Sequence, residues 1–95
     1  MKLVWSPEAL QDLQDIREYI SRENPGAAKA VVQRVRTLVR RQLPGNPESG
    51  RTGRVPGTRE LVVSGSPFVV PYRVQGEDIF IYRVYHSARM WPDSF

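Results

Sequence analysis

The apolar residues of the first part of the chain change from strand-like to helix-like spacing. A short apolar run, Lys2 to Trp5, is typical of a β-strand and stops at Ser6-Pro7. Serine followed by proline favours the start of a helix, because the serine side chain can cap a free backbone N–H and proline has no N–H to leave unpaired. The apolar residues that follow lie at intervals of four, three and four: Ala9, Leu13, Ile16 and Ile20. This spacing places them on one face of a first helix.

A second helix is predicted from a repeat of the same start signal. After a break at Ser21 to Glu23, Asn24-Pro25 again combines a capping side chain with proline. The residues predicted to face inward in this helix are Ala28, Val31, Val32, Val35, Leu38 and Val39. Because so few residues join the two helices, they must run antiparallel as a hairpin.

The remainder of the chain is predicted to be a loop followed by a three-stranded sheet. Pro44 to Gly57 holds three prolines and four glycines, a composition that sustains neither a helix nor a central strand. Three β-rich runs follow, Thr58 to Val63, Phe68 to Val74 and Asp78 to Tyr85, and their short connections predict an antiparallel meander. Pro71, inside the second run, lacks a donor for the ladder and is expected at an edge or a bulge.

The order β-α-α-β-β-β predicts the α+β class, with the helical hairpin packed on one face of the sheet. A chain of 95 residues can build one modest hydrophobic core. We therefore expect a single domain over residues 1–95.

Positive charge is concentrated in the middle of the chain. The formal net charge is +4, and 12 of the 14 cations are arginines. Residues 25–57 hold seven basic side chains and one acidic one, which favours an acidic partner. A solvated helix face explains the charge equally well, and this simpler role is expected for the arginines of the second helix: Arg34, Arg36, Arg40 and Arg41.

The composition indicates no cofactor and no membrane. Cysteine is absent, which excludes disulfides and thiolate metal sites and favours a reducing, cytoplasmic compartment. No apolar run is long enough for a signal peptide or a membrane span. Histidine and acidic side chains do not cluster at metal-ligand spacing, so neither a metal nor another cofactor is expected.

Six short segments carry a family resemblance that covers nearly the whole chain. They are Val4–Ala9 (VWSPEA), Asp12–Tyr19 (DLQDIREY), Gly57–Leu61 (GTREL), Tyr72–Val74 (YRV) and Ile81–Arg89 (IYRVYHSAR), followed by Trp91-Pro92. With these motifs in this order, the chain resembles the toxins of the ParE/RelE superfamily. The resemblance implies a toxin of a type II toxin-antitoxin pair, in a hetero-oligomer with a small ParD-like antitoxin. The antitoxin would cover apolar surface along the helical hairpin and the sheet edge.

The superfamily divides by target, and the two branches imply different functional residues. Members of the RelE branch cleave messenger RNA in the ribosomal A site without a metal, which requires an acid, a base and cations around the reacting phosphate. On that branch, the resemblance implies that Arg59 and Arg83 bind the phosphate. It also implies that His86 is the general acid or base, because an imidazole exchanges a proton readily near neutral pH.

Members of the ParE branch poison DNA gyrase through a binding surface, and no catalytic residue is implied. The loop carries Arg51 and Arg54 where RNA-cleaving members often have lysines, and the tail ends in Trp91-Pro92-Asp93-Ser94-Phe95 without a terminal tyrosine or histidine. These departures and the tail motif HSARMWP favour the ParE branch over RNA cleavage. The candidates for contact with gyrase are then Arg83, His86, Arg89 and Trp91, and direct binding of nucleic acid stays open.

The two candidate phosphate-binding arginines also have structural interpretations. Arg59 and Glu60 are adjacent in a strand and point to opposite faces, so Arg59 is expected to pair instead with Glu77 or a neighbour across the sheet. Arg83 is expected either to reach past a partly buried face or to pair with a helix carboxylate such as Asp12 or Asp15.

The remaining candidates have structural interpretations as well. His86 can cap the last strand by a hydrogen bond to the backbone. Trp91 is either an anchor for a target protein, a role in which tryptophan is enriched, or a cover for the edge of the core. Trp5, in the first strand, is predicted to belong to the core.

Overall fold

The computed structural model of the chain describes all 95 residues and has two helices and six strands. In chain order they are β1 (Lys2–Trp5), α1 (Pro7–Ser21), α2 (Pro25–Gln42), β2 (Arg51–Thr52), β3 (Arg59–Val62), β4 (Phe68–Gln75), β5 (Asp78–Ile81) and β6 (Tyr85–His86). The predicted α+β layout is therefore confirmed. Neither helix is long and apolar enough to cross a membrane.

Both helices begin where the sequence indicates. The Ser6 side chain accepts a hydrogen bond from the backbone N–H of Ala9 at 2.9 Å, and Asn24 does the same for Ala27 at 3.1 Å. A proline occupies the first turn of each helix, where its missing N–H leaves no donor unpaired. Capping of this kind contributes about 1 kcal/mol per helix.

The strands form one sheet in the order β1-β5-β4-β3-β2, with β6 paired to β4. The predicted meander corresponds to β3, β4 and β5, which pair antiparallel in sequence order. The first strand, β1, lies parallel to β5 at the other side of the sheet. The segment Pro44 to Gly57, predicted to be a loop, contains a two-residue strand, β2, which pairs with β3. The loop prediction was wrong for these two residues.

The third predicted run is interrupted, so β5 and β6 are separate strands. Ile81 pairs with Tyr72 and Tyr85 pairs with Val69. Three residues, 82–84, therefore lie opposite only two residues of β4, 70 and 71. This extra residue makes a bulge, which we call the 82–84 bulge.

Pro71 lies in the central strand β4, directly opposite the 82–84 bulge. Its carbonyl accepts the N–H of Tyr82 at 3.0 Å, but proline has no N–H to return to the Tyr82 carbonyl. The hydroxyl of Ser6 donates to that carbonyl instead, at 2.7 Å. The expectation of a bulge at Pro71 is thus met, and the residue that caps α1 also completes the interrupted ladder.

The helices cover one face of the sheet. The buried residues of the core are Ala9, Leu13, Val35, Val39, Leu43, Leu61, Val63, Val70, Tyr72, Ile79, Ile81 and Val84. Alternate residues of β3, β4 and β5 supply the sheet side of this cluster, as strand geometry requires. Trp5, Ile16, Val32 and Leu38 are partly buried and pack against it, which agrees with the predicted apolar faces. Each large apolar side chain buried in this way stabilises the fold by about 1.5–3 kcal/mol.

The glycine-rich loop is held against the sheet by a buried tyrosine. The Tyr72 hydroxyl donates to the Pro47 carbonyl at 2.7 Å and accepts the N–H of Gly50 at 2.9 Å. A β-carbon at Gly50 would lie 2.6 Å from that hydroxyl and 2.9 Å from the backbone oxygen of Glu60. No other residue type therefore fits at position 50 without moving the loop.

We predict that Gly50→Ala lowers the free energy of unfolding by about 2–3 kcal/mol, because the added methyl group overpacks this site. Gly45→Ala is the matched control, since a β-carbon there meets no atom within 4 Å. Urea unfolding of both variants and the wild type measures the difference. Equal stability of the two variants would contradict the prediction.

Candidate functional site

A groove of about 820 Å³ runs between the start of α1, the 82–84 bulge and the C-terminal tail. We define the tail as residues 89–95. Three of the four predicted target contacts line this groove, namely Arg83, Arg89 and Trp91. The fourth, His86, lies outside it. The groove is the largest concave surface that the predicted residues share, and it is the candidate functional site.

Arg83 is bound to Asp12 of α1. Its Nε and Nη2 donate to the two carboxylate oxygens at 2.8 and 2.9 Å, and the same carboxylate accepts the backbone N–H of Val84 at 2.9 Å. The hydrogen bond with Asp12 raises the pKa of Arg83, and the charge of Asp12 adds to this against the opposing effect of burial. The predicted pairing with a helix carboxylate is therefore found, with Asp12 and not Asp15 as the partner.

The ring of Tyr85 is surrounded by cations and by the tail. The guanidinium carbons of Arg83 and Arg89 lie 4.8 and 4.1 Å from the ring centroid, and Trp91 meets the ring edge-on at 5.1 Å. Tyr85 itself is buried. These contacts fix Arg89 and Trp91 at one wall of the groove.

The end of the tail returns to the sheet and leaves one large apolar side chain in solvent. Phe95 stacks on Tyr82 with centroids 5.1 Å apart and planes 12° apart. Met90 lies between Arg89 and Trp91 in the chain, and it is 91% exposed. The groove therefore combines aromatic walls, the Arg89 guanidinium without a carboxylate partner and the exposed thioether of Met90, a composition suited to contact with another macromolecule.

His86 has the structural role expected as the alternative to catalysis or target contact, a hydrogen bond to the backbone. Its Nδ1 accepts the backbone N–H of Ala88 at 3.1 Å, and its ring packs edge-on against Phe68 at 6.1 Å. This contact caps the turn after β6, and the side chain is exposed.

Arg59 supports the glycine-rich loop. Its Nη1 donates to the backbone carbonyls of Gly50 at 3.0 Å and Glu48 at 3.3 Å. The expected cross-strand pair with Glu77 or a neighbouring carboxylate is not formed. The guanidinium donates to the two loop carbonyls instead. Local sequence pattern does not predict where this loop lies on the sheet.

The three residues implied for RNA cleavage do not converge. Arg59 pairs with Tyr72 and His86 pairs with Phe68, so the two lie four residues apart along β4, roughly 13 Å at about 3.3 Å per residue. Arg83 is directed to Asp12 on α1. Each of the three side chains has a structural partner: loop carbonyls for Arg59, Asp12 for Arg83 and the Ala88 N–H for His86.

A buried carboxylate that the sequence analysis did not single out organises the loop arginines. Glu60 is 1% exposed and accepts hydrogen bonds from Nε and Nη2 of Arg51 at 3.0 and 2.9 Å. Its other oxygen accepts the backbone N–H of Arg54 at 2.7 Å. The signal was an isolated glutamate in an apolar strand that directly follows an arginine-rich loop.

The arginines of α2 form no ion pair. Arg34 donates to the Ser64 carbonyl at 2.7 Å, and Arg36 lies over the Trp5 ring at 5.8 Å. Arg40 and Arg41 are exposed near the C-terminus of the helix, where positive charge interacts favourably with the helix dipole. Their arrangement agrees with the solvated face expected from the sequence.

Comparison with known proteins identifies relatives over almost the whole chain. The family model described as ParE toxin of type II toxin-antitoxin system, parDE, matches residues 3–91. Y4kP of Sinorhizobium fredii, a protein named as a candidate toxin, is 41% identical over 91 residues, which are 96% of this chain and 93% of that protein. Toxin RelE2 of Caulobacter vibrioides is 38% identical over 89 residues, 94% of this chain and 98% of that protein.

A solved structure described as the chromosomal ParDE TA system from P. aeruginosa has the same fold. It is similar to this chain with a TM-score of 0.79 and 35% identity, and the match covers 90% of this chain and 95% of that one. The layout of strand, helical hairpin and meander is thus shared with a relative of known structure.

We predict that Asp12→Ala lowers the free energy of unfolding by roughly 2–3 kcal/mol. The change leaves the Arg83 guanidinium and the Val84 N–H without their partner, and the cost is at the low end for a broken buried ion pair because the Arg83 side chain is 27% exposed. Asp15→Ala on the same helix is the control, since Asp15 is exposed and bonds only Gln11. Thermal or urea unfolding compares the two, and a loss for Asp12→Ala no larger than for Asp15→Ala would contradict the assignment.

Proposed function

Because the chain belongs to the ParE toxin family of type II toxin-antitoxin systems, we propose that it poisons DNA gyrase and arrests replication unless a ParD-like antitoxin neutralises it. Gyrase and the antitoxin would meet it in the bacterial cytoplasm. The proposed action is binding to the gyrase–DNA complex, with no bond made or broken by the toxin itself.

The observation that carries this proposal is the groove beside the tail. It presents Arg89, which has no carboxylate partner, next to the exposed Met90 and the half-buried Trp91. Arginine and tryptophan dominate the energetics of protein–protein interfaces when they surround a desolvated pocket. The groove therefore has the chemistry of a docking surface for a protein target.

The positions of the candidate catalytic residues also support binding over RNA cleavage. General acid–base cleavage requires an acid, a base and cations within hydrogen-bond reach of one phosphate. Arg59 and His86 are roughly 13 Å apart along β4, by about 3.3 Å per strand residue, and Arg83 is engaged by Asp12. RNA cleavage of the RelE kind is the second candidate, because a relative named RelE2 is 38% identical.

The antitoxin is proposed to cover the apolar surface of the helical hairpin. Leu10 and Tyr19 of α1 are 40% and 74% exposed, which is high for large apolar side chains. The similar solved structure is described as a ParDE system, which supports a ParD-like partner and a hetero-oligomer.

We predict that induced expression of the chain without an antitoxin produces gyrase-linked DNA breaks in the first minutes while messenger RNA stays intact. Purified toxin should likewise increase the amount of DNA cleaved by purified gyrase. Covalent gyrase–DNA complexes and transcript lengths are measured in parallel. Transcript cleavage without DNA breaks would overturn gyrase poisoning in favour of RNA cleavage.

We predict that Arg89→Ala weakens the effect on gyrase by about 30-fold, the loss of roughly 2 kcal/mol expected for an interface anchor. Arg22→Ala is the matched control because Arg22, also exposed, lies at the far end of α1, about 20 Å from Glu8 of the groove at 1.5 Å per residue. The toxin concentration that gives half-maximal cleavage is measured for both. Equal values would remove the groove from the gyrase contact.

A further inference from the structure

One residue from a distant part of the chain, Arg54, adds to the contacts that hold the tail on the molecule. Arg54 belongs to the glycine-rich loop, yet its Nη1 donates to the Ser87 carbonyl at 3.0 Å, just before the tail. Its guanidinium carbon also lies 4.3 Å from the centroid of the Trp91 ring. These two contacts connect the loop to Ser87, before the tail, and to Trp91, in the wall of the groove.

Arg54 is itself anchored to the sheet through Glu60. Its backbone N–H donates to one oxygen of that carboxylate at 2.7 Å, and its Nε lies 3.8 Å from the other. Glu60 is almost fully buried in β3 and is held further by Arg51. The position of the Arg54 guanidinium is therefore fixed by the rigid part of the fold.

Trp91 depends on stacking for its position. Its indole nitrogen is buried and has no hydrogen-bond acceptor, so no polar contact of the ring opposes its release. The ring is held edge-on against Tyr85 and beneath the Arg54 guanidinium. Because the unpaired indole donor disfavours the packed position, removal of either stacking partner should free the ring.

We propose that Arg54 is a positioning residue that holds Trp91 and the tail in the geometry required for target binding. Its own guanidinium faces Trp91 and Glu60 and does not line the groove. The inference rests on the proposed function for its effect on gyrase, but the position of the tail can be measured without gyrase.

Arg51 provides a matched control for Arg54. Both arginines bind Glu60, and Arg51 makes two side-chain hydrogen bonds to it, at 3.0 and 2.9 Å. Arg51 has no contact with Ser87 or Trp91 among the hydrogen bonds and cation–π pairs of the structure. Arg51→Ala removes both of these bonds, whereas Arg54→Ala keeps its backbone N–H bond to Glu60 and loses only the 3.8 Å ion pair. The control therefore disturbs the shared carboxylate more than Arg54→Ala does, without touching the tail.

The first experiment follows the fluorescence of Trp91 in a Trp5→Phe background, which leaves Trp91 as the single tryptophan. Arg54→Ala should shift its emission to longer wavelength and increase quenching by acrylamide at least twofold, because the ring becomes solvated. Arg51→Ala should leave both unchanged, even where urea unfolding shows an equal loss of stability. Identical Trp91 emission and quenching in Arg54→Ala and the parent would overturn the proposal.

The second experiment measures gyrase-mediated DNA cleavage with the same variants. We expect Arg54→Ala to require at least tenfold more toxin than Arg51→Ala for half-maximal cleavage. Equal requirements would overturn the positioning role. If the parent protein stimulates no cleavage, gyrase poisoning fails, and the fluorescence result alone then decides whether Arg54 positions the tail.

Discussion

The carboxylate of Asp12 is the contact on which the arrangement of the sheet and the groove depends. At the 82–84 bulge the ladder between β4 and the last part of the sheet is broken, and backbone groups lose their strand partners. Asp12 accepts hydrogen bonds from the N–H of Val84 and from Nε and Nη2 of Arg83, while the Ser6 hydroxyl donates to the carbonyl of Tyr82. The first turns of α1 therefore replace a missing strand neighbour. A buried N–H without such a partner would cost about 1–3 kcal/mol, so the helix and the bulge stabilise each other.

A second buried carboxylate has a comparable effect on the other side of the sheet. Glu60 fixes Arg51 and Arg54, and through them a loop whose composition alone would leave it without regular structure. Tyr72 and Arg59 hold the same loop through its backbone groups. Arg51, Arg54 and Arg59 thus organise the loop through contacts within the protein, although the Arg51 and Arg54 side chains stay 51% and 40% exposed.

These internal roles bear directly on function. Arg59, Arg83 and His86, the catalytic set that the RelE resemblance implies, each have a structural partner, and Arg59 and His86 lie opposite different residues of β4. The groove, by contrast, is open to solvent and is lined by Arg89, Met90 and Trp91. A rigid sheet that carries a short tail pinned by cation–aromatic contacts is suited to binding, because the contact residues are ordered before the target arrives. The chain's membership of the ParE toxin family and this geometry both support the proposed binding function.

The sequence by itself determined the elements and the family: capping residues and apolar spacing located both helices, alternating runs located the meander, and the ordered motifs identified the ParE/RelE resemblance. These features depend on neighbouring residues, so local pattern is sufficient to predict them. The tertiary structure selected Asp12, 71 positions away, from the two carboxylates expected for Arg83. It alone decided that Arg54 meets a carbonyl 33 positions away. It also decided that β2 pairs with β3 and that the irregularity expected at Pro71 divides the third run into β5 and β6. Such pairings are set by the three-dimensional path of the chain, which brings distant charges and backbone groups together without a local sequence signal.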